Sequence, residues 1–389
     1  MRRKIILITI GAIVGIVLLA AGVAALLRPE SIPTRNPAFA SDTSTPSVSD
    51  QVLVEGRRNV WDIGFLPGGT LLFTERQGHI SFLRHNGQVW LIHTIPDVKA
   101  AGEGGLMGLA VDPNFEQNRY IYACFNSMAR DIRVARWKLT EEMLVTDRKD
   151  IITGIPANNG ATPGRHSGCR LRFGPDNNLW VGTGDTAQGD TSVQPRGLGG
   201  KILRVTREGQ AVAGNMGGEF DPRIYSYGHR NVQGLAFFTK AKNGVPGVSM
   251  EHGPDRDDEV NTLRPGNFGW APSAVGYNES VPMTDLNRFP NAIASIWSSG
   301  APTQAPSGGT IINGYNWKGW NGSLAVAMLK GKHLRILRLD DHNKVIKEEK
   351  ALDNAYGRLR AVTQGPNGDL YVSTDNGQND KIILLMSGS

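Results

Sequence analysis

The feature that most restricts how this chain can fold is a unit that recurs along it. Each copy has an apolar run, a turn of Pro, Asn, Asp or Gly, a second apolar run ending in Thr or Asn, then a polar loop and a third run. Clear copies are GFLPGGTLLFTERQGHISFL (64–83), GLAVDPNFEQNRYIYACFN (108–126), LRFGPDNNLWVGTGD with GGKILRV behind it (171–205), and AVTQGPNGDLYVSTDNGQNDKIILL (361–385). Two looser copies, GLAFFTKAKNGVPGVSMEHG (234–253) and GTIINGYNWKGWNGSLAVAML (309–329), lie between them. A small sheet of such runs cannot bury both faces alone, so it must stack on its neighbours, and closing the stack into a ring removes the exposed ends. Six units fall within the roughly four to eight blades that β-propellers carry. The sequence therefore predicts an all-β chain, a six-bladed β-propeller of four-stranded blades, with VLVEGRRNVWDIGFL (52–66) supplying an outer strand that closes the ring against the last blade. A two-sheet sandwich is the alternative, and would space its strands more evenly, at about 8–12 residues.

A length of 389 residues would suit two or three domains, but closed β architectures run past about 250 residues as one unit. The N-terminus stands apart: Arg2, Arg3 and Lys4 precede an uncharged apolar run from Ile5 to Leu27, close to the roughly 20 residues that cross a bilayer as a helix. Residues 1–28 are predicted to form a hydrophobic helix, either a signal peptide or an uncleaved membrane anchor with its basic end inside. This segment is the expected membrane contact. Residues 29–50, rich in Pro, Ser and Thr, read as a flexible linker, and 51–389 as the propeller, exported to the periplasmic or extracytoplasmic side. The net charge of +6 argues against nucleic acid as a partner, which asks for a concentrated basic stripe. An oxidising compartment would permit Cys124 and Cys169 to pair, but burial habits favour two small unlinked core residues.

In such a ring, chemistry falls on loops at one mouth of the channel, before inner strands or after second strands. His166, in RHSGCRLRF, precedes the inner run of the third unit. Imidazole, with an unperturbed pKa of about 6.5, suits proton abstraction near neutral pH; a loop histidine of no consequence is the alternative. Arg230 and Asn231, in GHRNVQGL, precede the fourth inner run and so face the same mouth, where an Arg fork can receive a carboxylate or a developing oxyanion. In EHGPDRDDEVN, Pro254 has no N–H to enter a ladder. Carbonyls left free beside Asp257, Asp258 and Glu259 suit Ca²⁺, which takes about six to eight oxygen ligands; a solvated acidic loop is the alternative. Arg358 and Arg360, in YGRLRAV, lie two residues apart, a spacing that in a strand turns both to one face and asks for an anion between them. Lys330 offers a further cation. The Gly-rich GEGGLMGLA (102–110) lacks phosphate-loop or dinucleotide spacing, and no phosphate site is assigned to it.

Seven segments in order, GEGGLMGLAVDPNF, HSGCRLRFGPD, GGKILRV, YGHRNVQGL, EHGPDRDDEVN, GNFGW and YGRLRAV, resemble the soluble quinoprotein aldose sugar dehydrogenases, the glucose/sorbosone dehydrogenase family. The resemblance covers nearly everything from Gln51 onward. It implies pyrroloquinoline quinone (PQQ) and Ca²⁺ as cofactors. It also implies oxidation of the anomeric hydroxyl of aldose sugars to lactones, with electrons passing to an unidentified acceptor such as a quinone, a cytochrome or a dye. By motif, His166 becomes the catalytic base, and Arg230 and Asn231 the contacts to the quinone carbonyls, with Arg230 stabilising charge there. Gly253 and Pro254 become the backbone ligands of Ca²⁺, and Lys330, Arg358 and Arg360 the cations that meet the cofactor's carboxylates. Glu259, with the carbonyl of Phe268, resembles a second calcium site, although the stretch between them is one residue shorter than in the family. In the sugar pocket, the glucose-oxidising members carry Asp and Gln where this chain has Arg165 and Glu103, so a broad aldose range is expected. Two other readings use the same ring: a calcium-dependent lactonase built on channel-lining carboxylates, and a non-catalytic binding propeller.

Overall fold

The structure, a computed structural model, describes residues 42–388 apart from 85 and 273–275. The apolar segment 1–28 and most of the 29–50 linker lie outside the described residues. Six sheets follow one another around a ring. Their innermost strands are Val60–Phe65, Leu106–Val111, Arg170–Phe173, Val232–Lys242, Pro306–Ile311 and Leu359–Gln364. Within each sheet the next strands pair antiparallel and in sequence order, so a blade is a meander joined by the tight turns that the Gly, Asn and Asp residues supply. The ring closes as the repeat implied: Val48–Arg57 pairs antiparallel with Asp380–Ser387 of the last blade, Val48 opposite Ser387 and Arg57 opposite Asp380. The first strand of the chain thus becomes the outer strand of the final sheet.

One blade departs from the expected four strands. The third carries a fifth, two-residue strand, Gly266–Asn267, paired in parallel with Ser226 and Tyr227. Its source is the long connection 263–296 between the third and fourth strands of blade four, Glu259–Thr262 and Trp297–Ser298. That connection leaves its own blade and crosses to the neighbour, where it adds residues to the channel mouth.

Apolar side chains fill the wedges between neighbouring blades. The largest cluster joins blades two and three through Tyr122, Cys124, Ile132, Leu171, Leu179 and Leu203, all fully buried. Cys124 and Cys169 lie in that wedge with Cα atoms 6.2 Å apart and form a disulfide, which corrects the expectation of two unlinked core residues. The reason is spatial: Cys124 sits in the second strand of blade two and Cys169 just before the inner strand of blade three, positions that a sequence separation of 45 hides.

Below the mouth the channel is plugged by polar side chains drawn from the inner strands. Buried Asp62 forms an ion pair with Arg170 at 2.5 Å and accepts hydrogen bonds from Arg172 at 2.9 Å and the Leu109 N–H at 2.9 Å. Burial pushes its carboxyl up, but the two guanidiniums outweigh that and hold it below the usual carboxylate range. Arg170 Nε donates to the Gln233 carbonyl, while the Gln233 amide oxygen accepts from Arg360 at 2.5 Å and Ser307 at 3.4 Å. Both guanidiniums, of Arg170 and Arg360, stand over the Trp61 ring. Every blade contributes to this floor, so the mouth above it is a rigid, polar-bottomed cup.

Candidate active site

His166 ends a loop that drops into the mouth just before the third inner strand. Its backbone takes a φ of +49°, a left-handed conformation, and its carbonyl lies so close to Gly184 that any Cβ there would overlap it. The packing fixes the ring: Nδ1 meets Asp185 Oδ1 at 2.7 Å. Asp185 is wholly buried and also accepts from Trp270 Nε1 at 2.6 Å, the Tyr277 hydroxyl at 2.8 Å and the Ala187 N–H at 2.8 Å. Burial pushes this carboxyl up, yet His166, then Arg230 and the Trp270 hydrogen bond, more than offset it and keep it ionised. An ionised acceptor at Nδ1 assigns the ring proton to Nδ1, leaving Nε2 as a lone pair. Nε2 bonds to no described residue. The burial of Tyr277 and its bond to Asp185 push its phenol far up, so it serves as a fixed donor.

Arg230 lies beside this dyad, 3% exposed. Its NH1 donates to the His252 carbonyl at 3.0 Å, its NH2 pairs with Glu279, and its guanidinium stands over Trp270. Its Nε is buried without a partner among the described residues, a donor held in place for an acceptor supplied from outside. Asn231 accepts the Gly168 N–H at 3.0 Å and donates to Glu103 Oε2 at 3.1 Å. Glu279 takes Arg165 at 2.6 Å with its other oxygen, so one carboxylate spans Arg165 and Arg230. Glu103 and Arg165, the two residues that depart from the glucose-oxidising pattern, line a groove of about 360 Å³ with Thr162 and Pro163.

The Gly253–Pro254 turn is closed by Asp258. That buried carboxylate accepts the N–H groups of Gly253 and Gln304 at 3.0 and 2.5 Å, the Ala305 N–H at 3.1 Å and the Thr303 hydroxyl at 2.7 Å. Asp258 is consumed by the turn, and Asp257, half-buried, pairs with Arg256 at 3.6 Å, so these two carboxylates do not gather as side-chain ligands. The carbonyls of Gly253 and Pro254 accept no hydrogen bond from a described residue, the condition a hard cation needs from backbone oxygens. His252, just before them, has a buried Nε2 without a partner among the described residues. Burial, then Arg360 and Arg230, push its pKa well down and keep it neutral.

Glu259 and Phe268 flank a second buried group. The His229 ring stacks on Phe268 and bonds Glu251 at 2.8 Å, while Asn261 donates to both Glu251 and Glu259. Burial and the nearby Glu251 raise the Glu259 carboxyl well above its ordinary value, and Asn261 Oδ1 is buried without a partner among the described residues.

The predicted cations separate into two kinds. Arg360 is buried and satisfied, with Asp375 on its Nε at 2.9 Å and Gln233 on its NH1. Asp375 is therefore the anion that the Arg-x-Arg spacing asked for on that side. Arg358 lies before the strand, which begins at Leu359 and is irregular by Ala361; it is exposed and its Nε reaches only the Asp375 carbonyl at 3.1 Å. Lys330 is exposed and its ammonium pairs with no described residue. Sequence reasoning missed Asp185, Trp270, Tyr277, Glu279, His252 and Arg76. Only Asp185 carried a signal, as the polar end of the VGTGD second strand.

The site thus joins a buried imidazole anchored on a carboxylate to a buried guanidinium whose Nε has no acceptor among the described residues, both on a six-bladed propeller. The chain belongs to the Glucose / Sorbosone dehydrogenase family, whose pattern matches residues 57–384. An uncharacterized protein of Synechocystis sp. is 32% identical over 94% of this chain and 93% of its own length. The aldose sugar dehydrogenase of Escherichia coli K12 is 29% identical over 86% of this chain and 92% of its own. Among solved structures, the PQQ-bound aldose sugar dehydrogenase from Streptomyces coelicolor superposes with a TM-score of 0.71 at 29% identity, covering 88% of this chain and all of that one.

Proposed function

We propose that this chain oxidises the anomeric hydroxyl of aldose sugars to lactones with PQQ and Ca²⁺, passing the electrons to an acceptor such as a quinone, a cytochrome or a dye. The observation that carries this reading is the His166–Asp185 dyad beside the unpartnered Nε of Arg230. The similarity to the E. coli aldose sugar dehydrogenase and the PQQ-bound Streptomyces enzyme supports the substrate and the cofactor. The site fits both cofactors: Arg230, Arg358 and Lys330 have unused donors, and the Gly253 and Pro254 carbonyls are free oxygens. Asn231 Nδ2 lies beside the same opening.

When bound, PQQ supplies an electrophilic quinone carbon that accepts hydride, and Ca²⁺ polarises the adjoining carbonyl. The chain's own residues do the rest. His166 Nε2 takes the proton from the sugar's anomeric hydroxyl, and Asp185 stabilises the imidazolium that forms while preventing the ring from turning. Trp270 and Tyr277 hold Asp185 and exclude water from it. Arg230 is already oriented by His252 and Glu279, so no reorganisation is needed when negative charge grows near its Nε. Glu103, Arg165 and Glu279 line the sugar's entrance and present carboxylate and guanidinium groups to its hydroxyls. Glu259 with the Phe268 carbonyl is assigned to a second calcium ion, whose charge would offset the two neighbouring carboxyls.

The Cys124–Cys169 disulfide supports an exported location, where such bonds persist; we assign the propeller to the periplasmic or extracytoplasmic side, with residues 1–28 as its signal peptide or anchor. The lactonase alternative needs a ring of side-chain ligands, and among the described residues no group of three or more His, Cys, Asp or Glu is placed to hold a metal. Reconstitution with PQQ and Ca²⁺, followed by dye reduction with a panel of aldoses, tests the proposal: sugar-dependent reduction that requires both cofactors is expected, and no reduction with any aldose overturns it.

A further inference from the structure

Arg76 belongs to none of the motifs that point to this chemistry, yet the fold delivers it to the same mouth. It sits in the turn after the second strand of blade one, Leu71–Glu75. Its N–H donates to the Asn59 carbonyl at 3.1 Å and its own carbonyl accepts the Leu106 N–H at 2.9 Å. Gly105, at φ +148°, packs on it: a Cβ there would come within 2.6 Å of Arg76 Cγ and closer still to its carbonyl. A side chain at position 105 would therefore displace Arg76.

The polar groups around Arg76 have partners elsewhere. Asn59 bonds Asp375 through Nδ2 at 2.5 Å, and Asp375 also holds Arg360. Glu103 accepts from Asn231 at 3.1 Å and Gln233 at 3.5 Å. The half-buried Arg76 guanidinium has no hydrogen bond or ion pair among the described residues, and Arg358 has only a backbone carbonyl. Burial disfavours the charge of Arg76, and Arg360 adds repulsion against the attraction of Asp375 and Glu103; burial and Arg360 act on Arg358 in the same direction, costs that an anionic ligand offsets.

We propose that Arg76 is a cofactor-binding residue, its guanidinium receiving a carboxylate of the bound quinone together with Arg358 on the side of the mouth bounded by Glu103. The inference rests on the PQQ reading above and adds to the cations that the sequence nominated.

Titration of the full chain with PQQ in Ca²⁺-containing buffer, followed by quenching of tryptophan fluorescence, measures this directly. Arg76→Gln is expected to weaken binding by roughly 10–100-fold, the usual worth of a charge-assisted hydrogen bond, with a shallower dependence on salt. An unchanged Kd in Arg76→Gln, with the wild type binding normally, overturns the role of Arg76; failure of the wild type to bind PQQ overturns the cofactor reading beneath it. A measurement on the wild type alone covers a variant that does not fold: phenylglyoxal labelling read by mass spectrometry should modify Arg76 in the free protein and be blocked by saturating PQQ. Equal labelling with and without PQQ contradicts the assignment.

Discussion

The two sides of the mouth are built on opposite plans. On the His166 side the orienting carboxylate is filled: Asp185 takes four donors, and the imidazole is set before any ligand arrives. On the Arg358 side the floor is satisfied, through Arg360 and Asp375, but Arg76 and Arg358 lack acidic partners among the described residues. The difference separates two tasks. A general base must have its geometry fixed in advance, because small misplacements cost rate, whereas a seat for an anion can leave its charges unpaired until the anion supplies the acceptors.

That contrast makes different variants fail in different ways. The largest effect is expected on the filled side: Asp185→Asn, which can leave the ring in the wrong tautomer, should lower turnover by about 10²–10⁴-fold with little change in PQQ affinity. Steady-state kinetics beside a cofactor titration separates the two, and a loss of affinity with normal turnover would reverse the comparison. On the open side, Arg358→Gln should weaken PQQ binding by roughly 10–100-fold while the fully loaded enzyme keeps most of its turnover.

The disulfide comes next. Replacing Cys124 and Cys169 with Ser should reduce unfolding free energy by about 2–4 kcal/mol, read by denaturant melts, and leave the mouth chemistry intact.

Acid sensitivity should be smaller and should belong to the floor. Burial pushes Asp375 up, but Arg360 and Asn59 outweigh it and hold the carboxyl at about 2. Its folded pKa therefore lies below its unfolded value near 3.9. The stability it contributes, of order 2 kcal/mol, is present above about pH 4 and is lost as pH falls toward 2. Asp375→Asn should flatten stability in that window, and an unaltered acid-unfolding curve would remove Asp375 from the role. The smallest effect is expected for Glu279→Gln, roughly a 2–10-fold rise in the sugar KM from about 0.5–1.5 kcal/mol of lost hydrogen bonding at a partly exposed pair.

The ring and half of the mouth were legible in the chain because both follow the repeat. Turn residues and apolar runs mark each blade, and His166, Arg230 and Arg360 all stand just before or at the start of an inner strand, where the repeat itself points them to the channel. Trp270, Tyr277 and Glu279 obey no period. They come from the 263–296 connection, which leaves its own blade and pairs with the next one, so only three-dimensional packing places them beside Asp185 and Arg230. Arg76 escaped for a related reason, since a lone charge in a tight turn has no spacing partner. Within the acidic run, Asp258 looks like a ligand in sequence and is instead the clasp of the Gly253–Pro254 turn.

The central claim is that His166 is the base and that the rest of the mouth binds without it. Rapid mixing of PQQ- and Ca²⁺-loaded protein with an aldose under anaerobic conditions, following the loss of the oxidised cofactor's absorbance, tests this in a single turnover. The wild type should bleach upon sugar addition, and His166→Ala, loaded to the same stoichiometry, should bleach about 10²–10⁴-fold more slowly. Equal rates in the two proteins would contradict the account.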